Sequence, residues 1–237
     1  TYRVRHKTVY GYSVPVTLSH HLARLKPRET PYQHILSERI TMTPEPSFQS
    51  DETDAFGNTS TFLIAETPHN EMTIVSDFTA QITPPVYPDP AQTPSWEETK
   101  SLLSFPDTPE LLAAGEMTAP SCFVPLSAEI KAYAAPSFTP NRPVLETAEE
   151  IMRRIYRDFT YDSSATSIAT PINETLAMKR GVCQDFAHVG IACLRSFGLA
   201  ARYVSGYIRT RRAAEAEQKG EIEMIGGDAS HAWFSVY

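Results

Sequence analysis

The stretch RGVCQDFAHVGIACLRSFG, residues 180–198, holds two of the chain's three cysteines and one of its seven histidines. Cys183, His188 and Cys193 stand five apart. That spacing raises four chemistries: a metal clip, a disulfide, a redox pair, or a cysteine nucleophile. Val182, Phe186, Val189, Cys193 and Phe197 fall at i, i+4, i+7, i+11 and i+15, which predicts a buried stripe on a helix from about 182 to 197. At about 100° per residue, Cys193 lies near the centre of the stripe and Cys183 about 80° to one side. His188 lies about 140° from either cysteine on the same wheel and reads as an exposed helix histidine. Ten residues of helix separate the cysteines by about 15 Å along the axis, and a disulfide tolerates Cα separations of only about 7 Å. The disulfide and the local metal clip, a zinc site included, therefore fail on geometry, and C-x-x-C does not occur.

The two cysteines are not equivalent. Cys193 reads as a core residue, since a buried free cysteine behaves as a small hydrophobe. Cys183 falls in the first helical turn just after Gly181, where free N–H groups and the positive helix end favour a thiolate and would also face a developing oxyanion. From the residues alone it is either reactive or an incidental cysteine of a capping region. A nucleophilic cysteine needs a base. His231 is the candidate, on a predicted strand with Trp233 on the same face, after a loop containing Gly226-Gly227; its other reading is an ordinary strand histidine. A helix-borne cysteine followed tens of residues later by a strand-borne histidine is the chain order of papain-like sites. His20-His21 cannot converge on one ion from opposite faces of a strand and read as surface residues. Cys122, among prolines with no histidine nearby in sequence, reads as a packed or merely free thiol.

The elements that would position these residues change character along the chain. TYRVRHKTVYGY, SERITMTP, STFLIAET and MTIVSDFTAQIT are short β-rich runs, with Gly57-Asn58 as a turn signal before the third. Residues 1–85 are therefore expected to form an antiparallel, sandwich-like β domain. Twelve of the nineteen prolines lie between Pro84 and Pro143, so 86–143 reads as a connector with short helices, SAEIKAYAA among them. Leu145, Ala148, Met152, Ile155 and Phe159 mark one face of a helix. In TPINETLAMKRG, Thr170 reads as N-cap, Pro171 as the first helical residue and Gly181 as the stop. LAARYVSGYI and ASHAWFSVY read as strands around a polar loop from Arg209 to Gly227. A net charge of −7 argues against a nucleic-acid partner, and no run approaches the roughly 18 apolar residues of a membrane span. Three cysteines suit a reducing compartment, so a cytoplasmic location is expected, with room for a removed leader because Thr1 is not a native initiator.

TPINETLAMKRGVCQDFAHVGIACLRSFGLAARYVSGYI followed by DASHAWFSVY resembles the core of bacterial transglutaminase-like proteins, in the papain-like superfamily. The match covers roughly 145–237, and the β-rich start is similar to the domain that often precedes such a core. The resemblance implies an α+β fold, with 144–237 as a papain-like catalytic core whose nucleophile heads a helix packed on an antiparallel sheet. It also implies a Cys–His–Asp triad, with Cys183 as nucleophile and His231 as base. The chemistry implied is acyl transfer from a peptide or protein amide through a thioester, more in the manner of a protease than of a crosslinker, with no cofactor and no metal. The orienting carboxylate is expected beyond Tyr237, with the closing strands of the core, because Asp228 and Asp185 do not match its position. The alternative is a non-catalytic interaction module that keeps the fold.

Overall fold

The computed structural model of the chain describes residues 1–208 and 230–237. The expected polar loop Arg209–Gly227 and Asp228 lie outside the described residues. The chain divides into two units, 1–87 and 88–237.

The first unit holds β1 (Tyr2–Val16), β2 (Ser19–Ala23), β3 (Gln33–Thr43), β4 (Phe48–Thr53), β5 (Thr59–Ala65) and β6 (His69–Ile82). They form two antiparallel sheets, ordered β1-β6-β3 and β2-β5-β4. Alternation along each strand puts apolar residues on one face. Ile40, Met42, Met72 and Ile74 of one sheet meet Ala23, Leu63 and Ala65 of the other in a single core. Between β4 and β5, Gly57 takes φ 78°, and the Asp54 carboxylate accepts from the N–H groups of Phe56 and Asn58 at 2.9 Å each.

The second unit begins with the proline-rich stretch, which is folded into short helices and supplies core. These are α1 (Trp96–Ser104), α2 (Pro109–Gly115) and α3 (Ala128–Ala134), N-capped by Ser95, Thr108 and Ser127. The Trp96 ring packs edge-on against Phe138 and Phe197, which stack on each other at 3.8 Å. Val124, Ile130 and Ala134 lie in the same core as α4 (Val144–Asp158). On α4 the buried face is Val144, Thr147, Ala148, Ile151 and Ile155, which keeps Ala148 and Ile155 of the predicted stripe but replaces Leu145 and Met152. Met152 is exposed, because Val144, Thr147 and Ile151 complete an equally good helical stripe that turns toward the core.

β7 (Thr160–Tyr161) and β8 (Arg180–Gly181) make a short parallel bridge around α5 (Ile172–Met178). Pro171 rather than Thr170 is the N-cap of α5, and Lys179 rather than Gly181 ends it, in the left-handed region at φ 54°. That conformation is unfavourable for a residue with a Cβ. It is held by the lysine ammonium, which sits 3.7 Å from the Tyr133 ring centroid and 4.6 Å from that of Phe159.

α6 (Cys183–Arg195) runs through the middle of the unit, with Ala187 and Val189 to Leu194 all buried. It is therefore a central helix rather than a one-faced one. Antiparallel β9 (Ala201–Gly206) and β10 (His231–Val236) lie beside it, with Phe234 and Val236 against the core. The close approach depends on Gly190: a Cβ there would collide with the Phe234 ring. Among the described residues no helix is long and apolar enough to cross a membrane. Gly190→Ala is expected to destabilise the second unit by up to about 2 kcal/mol. Overpacking costs of about 1–3 kcal/mol exceed the helix-propensity gain of about 1. Denaturant unfolding followed by tryptophan fluorescence checks this, since Trp96 and Trp233, the chain's two tryptophans, both lie in the second unit. A second change, Phe234→Leu, should recover part of the loss.

Candidate active site

Cys183 is the first residue of α6 and is half-buried. The turn that presents it is built by Asp185. Its Oδ2 accepts from the Val182 N–H at 2.8 Å and from the Thr166 hydroxyl at 2.6 Å. This is the return half of a capping box; Val182 has no acceptor with which to complete it. Gly181 leaves the room this needs, because a Cβ there would fall 2.5 Å from the same oxygen. The carboxylate thus takes the N–H of the residue before the helix. The N–H groups of Cys183 and Gln184 belong to the first turn, which has no intrahelical acceptors for them.

Phe234 pairs with Tyr203 across the β9–β10 ladder, and His231 pairs with Gly206. The Arg195 guanidinium donates to the Ala201 carbonyl, so the C-terminal end of α6 adjoins the end of the ladder where Ala201 pairs with Val236. Helix and β10 therefore run in the same direction. From the Gly190–Phe234 contact, seven residues back along α6 cover about 10.5 Å and reach Cys183. Three residues back along β10 cover about 10 Å and reach His231. Cys183 and His231 come level.

Their side chains are not joined. Among the described residues no hydrogen bond links Cys183 to His231. Strand alternation explains this: Phe234 faces α6, so Trp233 and His231 share the other face, where the Trp233 ring covers Gly206. On the helix-facing side stands Tyr203. Its phenol pKa is raised first by burial and then by neighbouring Cys183 and Asp185.

His188 is not an exposed helix residue. Its ring stacks on Phe123, with centroids 5.8 Å apart, and lies 5.1 Å from Tyr203. The helical wheel placed it correctly away from the stripe, but Phe123 and Tyr203 come from distant segments that the wheel does not see. Cys193 is fully buried, and burial pushes its thiol up to about 12, which keeps it protonated and inert. Cys122 is exposed.

Residues 131–237 match the Transglutaminase-like superfamily, and residues 2–81 match the Bacterial transglutaminase-like N-terminal region. An uncharacterized protein of Mycobacterium tuberculosis is 41% identical over all of this chain and 73% of its own length. The chain belongs to the transglutaminase-like superfamily. A protein of Mycobacterium leprae, also uncharacterized, is 29% identical over 99% of this chain and 78% of its own length. A solved structure from Cytophaga hutchinsonii, described as a candidate cysteine protease, shares the fold. Its TM-score is 0.72 at 20% identity, over 99% of this chain and 72% of that one. In this transglutaminase-like core, Phe123 and Thr166 are neighbours of the candidate site that the sequence did not single out, and Tyr203, part of the family-like strand, had no role assigned to it. The spacing of Val182 to Asp185, that of an N-cap and its third helical residue, was the one available signal for the turn.

Burial pushes the His188 pKa down, and Asp185 offsets this only in part. The fold therefore favours the neutral ring. The stability this contributes is complete above the unfolded value of about 6.5 and is lost as pH falls through the lower folded value. The stability of the second unit should fall less steeply below about pH 6.5 in His188→Gln than in the native chain. Denaturant midpoints taken across that range by tryptophan fluorescence read the difference, and parallel profiles would contradict it.

Proposed function

We propose that the chain is a cysteine-dependent amidase of the transglutaminase-like kind, hydrolytic rather than crosslinking. The observation that carries this reading is the place of Cys183: the first residue of a central helix, half-buried, inside a core that matches the family. The Cys183 thiolate attacks the carbonyl carbon of a peptide or protein amide. The first-turn N–H groups of Cys183 and Gln184 stabilise the tetrahedral oxyanion. The intermediate collapses to a thioester, and the amine leaves with the proton that His231 took from the thiol. Water then attacks the thioester with His231 as base, the acid departs and the thiol is restored. The level register of Cys183 and His231 supports their pairing. Pairing requires the His231 ring to come round the end of β10, and the reading places the orienting carboxylate beyond Tyr237. A nucleophilic thiol suits a reducing, cytoplasmic setting.

The test is turnover of a fluorogenic peptide-amide library by the whole chain. Cys183→Ala should abolish it, His231→Ala should lower it by at least about 10²-fold, and Cys193→Ala should keep it if the fold survives. Turnover unchanged in Cys183→Ala would overturn the proposal and leave a non-catalytic module with the same fold.

A further inference from the structure

We propose that the cavity beside the first two turns of α6 is a subsite for an uncharged aromatic side chain with a hydroxyl tip, tyrosine before all others. It deepens the amidase reading, on which it rests, by naming the side chain the substrate presents beside Cys183. The cavity measures about 210 Å³, room for one side chain rather than a length of polypeptide, and Gln184, next to Cys183, forms part of its wall.

Three features define the occupant. The walls combine hydrocarbon from Phe123, Pro125, Ile168 and Ile172 with polar groups of Thr170, Gln184, Asp185 and His188. Phe123 and Ile168 remain 60% and 75% exposed, so the rim includes an apolar surface that no described residue of the unit covers. Thr175, also in the wall, is only 1% exposed, yet among the described residues its hydroxyl has no hydrogen-bond partner. A buried hydroxyl left unpaired costs stability, and a ligand that pairs with it recovers that cost. Apolar walls from Phe123, Pro125, Ile168 and Ile172 with such a buried group among them select a side chain that is apolar along its length and polar at its tip. The stacked rings of Phe123 and His188 give an aromatic ring a surface to lie against. The nearby carboxylate of Asp185 repels an acidic side chain.

Protection of Cys122 reads occupancy directly, because this exposed thiol lines the same cavity. In the Cys183→Ala chain it is the exposed thiol left to alkylate, Cys193 being buried. N-acetyl-tyrosinamide at millimolar concentration should slow alkylation of Cys122 by iodoacetamide. N-acetyl-phenylalaninamide should need about fivefold more, the worth of one neutral hydrogen bond. N-acetyl-lysinamide and the glutamate analogue should give no protection. Thr175→Val should bring the tyrosine and phenylalanine amides to equal potency. Ile168→Asp, a change at an exposed position that leaves the core intact, should abolish protection by both. No protection by either aromatic amide, stronger protection by the lysine amide, or an unaltered tyrosine preference in a folded Thr175→Val chain would overturn the subsite. Protection without Cys183-dependent turnover would keep the subsite and defeat the amidase reading. Cys183-dependent turnover without protection would do the reverse.

Discussion

The Phe234 ring lies against α6 at Gly190, where the missing side chain lets strand and helix approach more closely than any other residue would permit. That contact ties the β9–β10 ladder to the helix that carries Cys183. Because helix and strand advance by fixed rises, one tight contact in the middle sets which residues come level at the end. Phe234 also fixes which face of β10 looks inward. His231 is thereby level with Cys183 but on the other face of the strand, while Tyr203 stands on the helix side.

Around that frame the site is organised by polar groups with single purposes. Asp185, almost fully buried, ties the Val182 backbone and the Thr166 hydroxyl to the start of α6, and Gly181 exists to admit it. The carboxylate is thus engaged before the helix begins, and it does not take the first-turn N–H groups of Cys183 and Gln184. His188, kept neutral by burial between Phe123 and Tyr203, belongs to the wall of the cavity. Lys179 holds a left-handed turn by lying on two aromatic rings, which closes α5 just ahead of the turn that presents Cys183.

Local pattern was enough to find the helices around Cys183 and the β-rich first unit, because turn residues and apolar periodicity act over a few residues. It also placed Cys193 in the core and Cys183 at a helix start. Long-range packing decided what the pattern missed. On α4 two overlapping apolar stripes compete, and packing against neighbouring elements, α6 among them, selects the one through Thr147 and Ile151. On α6 the stripe understated burial, since residues distant in the chain cover the remaining sides. The proline-rich stretch looked like a connector by composition, yet capped short helices let Val124, Ile130 and Phe138 enter the core. Gly190 carried no local signal, since its meaning depends on an aromatic ring forty-four residues later.

The account stands or falls on whether Cys183 and His231 act as a pair. The most direct measurement is the rate of Cys183 alkylation by iodoacetamide against pH in a Cys122→Ser chain, with and without His231→Ala. A thiolate held by a neighbouring imidazolium reacts at a pH where a lone thiol is protonated. The account predicts reactivity that extends into the acidic range and disappears in His231→Ala. Superimposable profiles would contradict it.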